Sequence, residues 1–173
     1  DMDGDGLLDV YTTSLAQFLW HRNDGGLTFT AMPVISHGTG DVVADFFDVD
    51  ADGSDDLILG GDALAWHRNL GDGNYDVPQL ILEGAAHTCA HTDVDSDGLV
   101  DLVSEADGQG LYWFRNLGGL LDPTPNLIIT GGEFHFNWSS TNRDEEVLIT
   151  DLDGNGREDF LFYYRPDSVE AIT

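Results

Sequence analysis

Short apolar runs separated by Gly, Asp and Asn set the hydrophobic pattern of this chain. Four such runs follow one another between residues 41 and 82: Asp41–Phe47, Asp56–Gly60, Ala63–Asn69 and Pro78–Leu82. Runs of this length, bounded by turn residues, predict β-strands. No window shows the sustained spacing of three and four residues that an amphipathic helix requires. The pattern therefore predicts an all-β fold of short antiparallel strands.

A nine-residue acidic segment, DxDxDGxxD or a close variant of it, occurs four times between these runs. The copies read DMDGDGLLD, DVDADGSDD, DVDSDGLVD and DLDGNGRED, and they begin at Asp1, Asp48, Asp93 and Asp151. A second motif, Trp-x-Arg-Asn, starts 18 to 20 residues after the first three copies, at Trp20, Trp66 and Trp113. Two motifs in the same register define an internal repeat.

Four short strands recurring about every 45 residues have the period of a β-propeller blade. The repeats span about 1–40, 41–85, 86–143 and 144–173, and the third contains an insertion at 117–143. The first repeat lacks its opening strand, and the last is incomplete because residues 163–173 contain no Trp-x-Arg-Asn strand. Residues 1–173 are therefore predicted to form a partial propeller. Because proteins avoid open strand edges, we expect the rest of a larger chain or other subunits to complete it.

The chain is strongly acidic, with 33 Asp and Glu against six basic residues and a formal net charge of −27. Such a charge opposes compaction unless cations bind. It makes nucleic acid and anionic membranes poor partners, although a generally acidic, salt-adapted surface is an alternative. The sequence contains no run of 18 apolar residues, so no membrane span is predicted. Cys89 is the only cysteine, which excludes an internal disulfide. A bound metal is therefore the expected cross-link that stabilises the fold.

The acidic segments have the composition of calcium loops. Calcium takes six to eight oxygen ligands, and carboxylates at positions 1, 3, 5 and 9 with a backbone carbonyl at position 7 would supply them around a glycine turn at position 6. Up to four Ca²⁺ ions are expected, about one per loop, and the fourth site is expected to be the weakest because Asn155 replaces an Asp. The predicted ligands are Asp1, Asp3, Asp5, Leu7, Asp9, Asp48, Asp50, Asp52, Ser54, Asp56, Asp93, Asp95, Asp97, Leu99, Asp101, Asp151, Asp153, Asn155, Arg157 and Asp159.

Other proteins with similar loops are excluded by the flanking sequence. EF-hands require helices and a bidentate Glu at position 12, where this chain has Thr12, Leu59, Ser104 or Phe162. Dockerins also have helical flanks, and thrombospondin-type arrays place their loops almost back to back.

The four loops, the Ala-Trp-His-Arg-Asn type of third strand and its glycine-rich turn resemble the FG-GAP/VCBS repeat family. That family forms the blades of integrin-α-like propellers and of many secreted bacterial proteins. The resemblance covers nearly the whole chain. It implies four-stranded antiparallel blades with structural calcium in the loop between the first and second strands, and an extracellular protein, secreted or at the cell surface.

Two rows of repeat-equivalent side chains have structural and functional interpretations. Arg22, Arg68 and Arg115 are predicted to bridge to loop or turn carboxylates, and the alternative is a row that binds an anionic ligand. The three tryptophans are predicted to pack between blades, unless an exposed ring binds sugar.

His87, Cys89 and His91 alternate along a predicted first strand and so face one side of it. They suggest a soft-metal site or a Cys/His nucleophile, but they match core positions of the preceding repeat, which favours a packed strand. No nucleophile elbow, phosphate loop or zinc-protease motif is present. The chain is therefore not predicted to be an enzyme.

An aromatic cluster, Phe134-His135-Phe136-Asn137-Trp138, lies in the long segment 117–145, which is predicted to run to the face opposite calcium. It could form a ligand site on a loop or a local packed core. Asn137 also begins a glycosylation sequon, which has meaning only in a eukaryotic secretory pathway.

Together these features predict a non-enzymatic adhesion or recognition scaffold with a protein or glycan ligand. One alternative is a carbohydrate-binding, lectin-like module or an accessory domain of a polysaccharide-degrading enzyme. Another is a structural subunit of a surface filament.

Overall fold

A computed structural model describes residues 1–86, 88–106, 110–130, 146–156 and 158–163 of the 173-residue chain. These residues form thirteen β-strands in four antiparallel sheets. None of them forms a helix, so no helix of membrane-spanning length is found in this part of the chain. The all-β prediction is confirmed.

The strands are, in chain order, β1 (Val10–Asn23), β2 (Phe29–Ala31), β3 (Ile35–Asp41), β4 (Val43–Phe47), β5 (Asp56–Gly60), β6 (Ala63–His67), β7 (Gln79–Glu83), β8 (Cys89–Thr92), β9 (Asp101–Glu105), β10 (Gly110–Phe114), β11 (Asn126–Thr130), β12 (Glu146–Thr150) and β13 (Asp159–Tyr163).

The second repeat is a four-stranded antiparallel sheet in the order β4-β5-β6-β7. Phe47 pairs with Asp56 across the acidic loop, and Trp66 on the third strand pairs with Gln79 on the fourth. The four predicted strands are confirmed, with ends that differ by no more than two residues from the predicted ones.

The third repeat has the same arrangement, with the sheet order β11-β10-β9-β8. Trp113 pairs with Asn126, the same sequence separation as between Trp66 and Gln79. Strand β11 thus lies inside the predicted insertion 117–143 as an ordinary fourth strand. The extra length of this repeat follows Thr130, in residues 131–145, which lie outside the described part of the chain.

The first repeat contains counterparts of the last three strands of a sheet. Strand β1 must fold back on itself, because Asp9, which directly precedes it, accepts a hydrogen bond from the backbone N–H of Asn23 at its end, 2.8 Å away. Tyr11 and Phe18 stack within it at 5.4 Å between ring centroids. It therefore supplies the second and third strands, and β3 pairs with it as the fourth.

The fourth repeat is described as a two-stranded hairpin, β12 paired with β13. Its last residues, 164–173, lie outside the described part of the chain.

Two apolar clusters join neighbouring repeats. One places Phe18 and Trp20 of the first repeat against Leu57 and Leu59 of the second. The other joins the second and third repeats, and its buried members include Trp66, Leu102 and Phe114. Strand β5 is buried at every residue because Leu57 and Leu59 belong to the first of these clusters and Ile58 to the second, and β9 is buried to the same extent.

The tryptophans support the packing interpretation in two cases of three. Trp20 and Trp66 are only 1% and 3% exposed, and Trp113 is half-buried. Gly73 of the second repeat makes room for the Trp20 ring, since a Cβ at this glycine would lie 2.7 Å from a ring carbon.

Candidate metal-binding loops

Each acidic loop lies next to the start of the second strand of its repeat. The second, third and fourth loops connect the first and second strands, between β4 and β5, β8 and β9, and β12 and β13. The first loop leads into β1. The predicted placement between first and second strands therefore holds in the three repeats whose first strand is described.

A hydrogen bond from position 6 to position 1 closes every loop. The glycine at position 6 has a φ between 83° and 92° in all four copies, a conformation that side chains strongly disfavour. Its N–H donates to Oδ2 of the position-1 aspartate at 2.8 to 2.9 Å, as from Gly53 to Asp48. The carboxylate at position 1 is thereby held toward the middle of the loop.

Position 4 also adopts a left-handed conformation, which the sequence reasoning missed. It is glycine in the first and fourth loops, but Ala51 and Ser96 take φ values of 59° and 61° in the second and third. The glycines at this position in the first and fourth loops, Gly4 and Gly154, could have indicated the left-handed conformation.

The aspartate at position 9 is fixed by two backbone groups. Asp56 accepts hydrogen bonds from the N–H groups of Val49 at 3.1 Å and Asn69 at 2.7 Å, and Asp101 accepts the equivalent pair. Both carboxylates are fully buried. Burial raises the pKa of Asp56 and of Asp101, although these backbone N–H groups work in the opposite direction.

Three carboxylates converge in each loop, with oxygens that all lie within 4.8 Å of one another. Positions 1, 3 and 9 form the group in three loops, and positions 1, 3 and 5 form it in the first. The groups are Asp1, Asp3 and Asp5; Asp48, Asp50 and Asp56; Asp93, Asp95 and Asp101; and Asp151, Asp153 and Asp159.

Arginines bridge positions 3 and 5 of the second and third loops. Arg115 places Nε 2.8 Å from Asp95 and Nη2 2.8 Å from Asp97, and Arg68 holds Asp50 and Asp52 in the same way at 2.5 and 3.1 Å. The prediction that these arginines pair with loop carboxylates is confirmed.

Arg22 differs from the other two arginines. It bonds mainly to the turn residue Asp24 at 2.8 Å and lies 3.9 Å from Asp3. The first loop therefore carries less internal charge compensation.

Position 7 is held beside position 5. The N–H groups of Leu7, Ser54 and Leu99 donate to the position-5 carboxylates of their own loops at 2.8 to 3.0 Å. Arg157, at position 7 of the fourth loop, lies outside the described residues, while Asn155 at position 5 bonds through its backbone N–H to Asp151 and Asp153.

This donor set fits a hard divalent cation. The converging atoms are all carboxylate oxygens, the ligand type that Ca²⁺ prefers. Each ionised carboxylate has about four acceptor positions, so the backbone bonds and arginine contacts leave positions for a cation. Carbonyls at position 7 could add the ligand that the sequence predicts.

The His87, Cys89 and His91 row does not form a comparable site in the described part of the chain. Burial raises the pKa of the Cys89 thiol well above its usual range, which disfavours a nucleophilic thiolate. His91 instead bonds through Nδ1 to Asp45 of the neighbouring first strand at 2.9 Å and stacks on Phe47. Among the described residues, no group of three potential ligands includes either side chain, and His87 lies outside them.

In the second and third repeats, the Asn of the Trp-x-Arg-Asn motif contacts the acidic loop of the preceding repeat. The Asn116 side chain donates to the carbonyl of Val49, at position 2 of the preceding loop, at 2.9 Å, and Asn69 donates to Met2 at 3.3 Å. The sequence marked these asparagines only by their fixed place in the repeat.

Comparison with protein families gives one finding. The family described as FG-GAP-like repeat matches residues 1–59 and 93–162, which together make up more than half of the chain. A comparison with curated proteins found no significant match. The aromatic cluster 134–138, with Asn137, lies outside the described residues.

Proposed function

The chain belongs to the FG-GAP-like repeat family, and from this premise we propose that it is an extracellular recognition or adhesion scaffold stabilised by calcium. The observation that carries the proposal is the convergence of three carboxylates within 4.8 Å in each of four repeat-equivalent loops.

The negative net charge of the chain favours the binding of cations in the loops. The formal charge is −27, and like charges at these separations repel one another strongly when no cation compensates them. Four divalent ions would add eight positive charges and leave −19. Bound calcium would supply positive charge and flexible oxygen coordination at the centre of each loop.

A structural role fits the surroundings of the loops better than a catalytic one. Asp56 and Asp101 are fully buried and hold the starts of β5 and β9. Through Asn69 and Asn116 the same loops contact the neighbouring repeats. An ion held by these carboxylates would therefore tie together a hairpin and the boundary between two repeats.

The proposed extracellular location is supported by the family and by the cysteine content. Calcium sites in extracellular modules typically bind at about 10⁻⁴–10⁻³ M, a range suited to calcium-rich surroundings. Repeats of this family are typical of extracellular proteins. Because Cys89 cannot form an internal disulfide, a bound metal is the cross-link that could stabilise such a protein.

Thermal unfolding tests the proposal. With calcium at ten to a hundred times its dissociation constant, each occupied loop stabilises the fold by about 1–3 kcal/mol, so the melting temperature should fall sharply when EGTA replaces calcium. Magnesium at equal concentration controls for screening. Identical melting curves in calcium, magnesium and EGTA would contradict the proposal.

Two matched variants assign the effect to the loops. Asp101→Asn removes a charge from a loop ligand, whereas Asp72→Asn removes the same charge from a surface turn with a φ of 52° that Asn also tolerates. The first variant should lose part of the calcium-dependent gain and the second should keep it.

The alternatives stay predictions. Burial of Trp20 and Trp66 removes two of the rings considered for sugar binding, and a lectin-like site would have to use other residues, such as the cluster 134–138. The same holds for the partial propeller, its completion by other segments, a role in a filament and the lack of enzymatic activity.

A further inference from the structure

A continuous row of hydrogen bonds leads from the third acidic loop to the second. Asp101, at position 9 of the third loop, accepts a hydrogen bond from the backbone N–H of Asn116 at 2.7 Å. The Asn116 side chain donates to the carbonyl of Val49 at 2.9 Å. The N–H of Val49 in turn donates at 3.1 Å to Asp56, at position 9 of the second loop. Only two residues, Asn116 and Val49, therefore separate the two position-9 carboxylates.

The same row continues from the second loop to the first. Asn69 donates its backbone N–H to Asp56 at 2.7 Å and its side-chain N–H to the carbonyl of Met2 at 3.3 Å. The N–H of Met2 donates to Asp9, at position 9 of the first loop, at 2.6 Å. We call these hydrogen bonds, from Asp101 through Asp56 to Asp9, the loop relay.

The part of the loop relay between the second and third loops is shielded from water. Asp56 and Asp101 are fully buried, Val49 is 1% exposed and Asn116 is 2% exposed. Buried hydrogen bonds polarise one another, and a buried donor or acceptor that loses its partner finds no water to replace it. A displacement of one position-9 carboxylate is therefore transmitted to the backbone that holds the other.

The position-9 carboxylates belong to the converging groups as well as to the relay. Asp56 converges with Asp48 and Asp50, and Asp101 is part of the equivalent group in the third loop. An ion in the third loop would fix Asp101, and the relay would then order Asp56 before a second ion binds. Because the shared hydrogen bonds need to be ordered only once, the second binding step loses less conformational entropy.

We infer that the loop relay couples neighbouring loops, so that calcium in one loop tightens calcium binding in the next. The inference rests on the proposed function, since it requires that the loops bind calcium, and it assigns to the motif asparagines a role in the regulation of these sites. Coupling between two binding sites is reciprocal, so each loop must affect the other by the same factor.

The test measures calcium occupancy loop by loop. The position-6 glycine of each loop donates its N–H to an aspartate of the same loop, so its amide signal in a ¹⁵N-glycine-labelled chain reports that loop alone: Gly6, Gly53 and Gly98 for the first three. Asp50→Asn removes one of the three converging carboxylates of the second loop and lies outside the relay. Calcium is titrated with and without this substitution.

The expected result is that Asp50→Asn weakens calcium binding at the third loop, read at Gly98, by about fivefold. Asp95→Asn should weaken binding at the second loop, read at Gly53, by the same factor. In a chain that also carries Asn116→Ala, Asp50→Asn should change the affinity of the third loop by less than about twofold. The change of charge is the same in both backgrounds, so the comparison separates the relay from long-range electrostatics.

Asn23→Ala is the matched control for the loss of a motif asparagine. Among the described residues, the Asn23 side chain donates only to the carbonyl of Leu8 in its own repeat, so the coupling between the second and third loops should remain complete. Asn69→Ala is a second relay variant in case Asn116→Ala does not fold. It should abolish the effect of Asp50→Asn on the first loop, read at Gly6, and keep the effect on the third.

Two results would overturn the coupling while calcium binding itself stands. One is a third-loop affinity that Asp50→Asn leaves unchanged in the chain with all its motif asparagines. The other is an equal weakening by Asp50→Asn with and without Asn116→Ala. A calcium titration that shifts none of the position-6 glycine signals would instead overturn the calcium proposal, and this inference with it.

Discussion

At the scale of single residues, the loops combine strained backbone positions with carboxylates that are fixed by backbone hydrogen bonds. Ala51 and Ser96 occupy a left-handed conformation in which the other two copies have glycine. A non-glycine residue there costs about 1–2 kcal/mol. The strain persists because hydrogen bonds to the carboxylates at positions 1 and 3 fix the turn, such as those from Asp52 N–H to Asp48 and Asp50.

Replacement of Ala51 by glycine should therefore stabilise the chain. We expect Ala51→Gly to raise the free energy of unfolding by up to about 1 kcal/mol, since the relief of strain exceeds the entropy that glycine adds to the unfolded chain. The control is Ala31→Gly on β2, where φ is not positive and where glycine should destabilise by about 0.5–1 kcal/mol. Urea unfolding measures both, and equal signs for the two variants would contradict the interpretation.

We expect the arginine bridges to compete with the proposed cation for the same carboxylates. The substitution Arg115→Gln should lower the melting temperature in EGTA, because Asp95 and Asp97 lose the positive charge that compensates them. The same change should tighten calcium binding at the third loop. Arg22→Gln is the control, since Arg22 bonds chiefly to Asp24 and should change calcium affinity less. Calorimetric titration separates the cases, and weaker calcium binding by Arg115→Gln would refute the competition.

At the scale of elements, β6 carries a buried histidine that faces the first repeat. His67 is 3% exposed and pairs with Leu57, a member of the cluster shared with the first repeat. Its ring lies 6.5 Å from that of His37, and its Nε2 has no hydrogen-bond partner among the described residues. Burial lowers the pKa of His67, which outweighs the opposite effect of a hydrogen bond to the Asp76 backbone, and the neighbouring His37 acts in the same direction as burial.

This lowered pKa predicts a loss of stability in mild acid. Between the folded pKa and the ordinary value of about 6.5 the unfolded chain binds the proton and the folded chain does not, so stability falls as pH drops through this range. His67→Gln should reduce the difference in unfolding free energy between pH 7.5 and 5.5, measured in urea with EGTA present. His21→Gln, at the same repeat position but half-buried, should leave most of that difference in place. An unchanged pH dependence in His67→Gln would contradict the prediction.

The elements show what the sequence could and could not reveal. Strands β4 to β7 were predictable because each apolar run ends at a turn residue. The fold-back within β1 was harder to place, since residues 12–16 (TTSLA) contain no Gly, Asn or Pro. The acidic loops were predictable from spacing alone because their carboxylates lie close together in the sequence. The role of Asn116 was not, because its partner Val49 lies in another repeat and becomes a neighbour only when the sheets pack.

At the scale of the whole molecule, the repeats are joined by apolar clusters and by the asparagine contacts between loops. Asn116 is 2% exposed and donates both to Val49 of the preceding repeat and to Val100 of its own loop. Among the described residues, the Asn23 side chain donates only to the carbonyl of Leu8, in its own repeat.

Substitution of Asn116 and of Asn23 by alanine measures the free energy that the contact between repeats contributes. Asn116→Ala should destabilise by about 2–3 kcal/mol, because it leaves buried carbonyls without a donor, and Asn23→Ala by about 1 kcal/mol. Chemical unfolding compares them, and equal losses would show that the contact to Val49 contributes nothing measurable.

The central claim is that the four loops bind calcium, and equilibrium dialysis against ⁴⁵Ca²⁺ tests it most directly. The expected result is one ion per loop, up to four per chain, with the weakest site in the fourth loop, where Asn155 replaces an aspartate. Asp101→Asn should remove or weaken one site, and Asp72→Asn should remove none. Absence of saturable calcium binding, or binding that Asp101→Asn leaves unchanged, would contradict the claim.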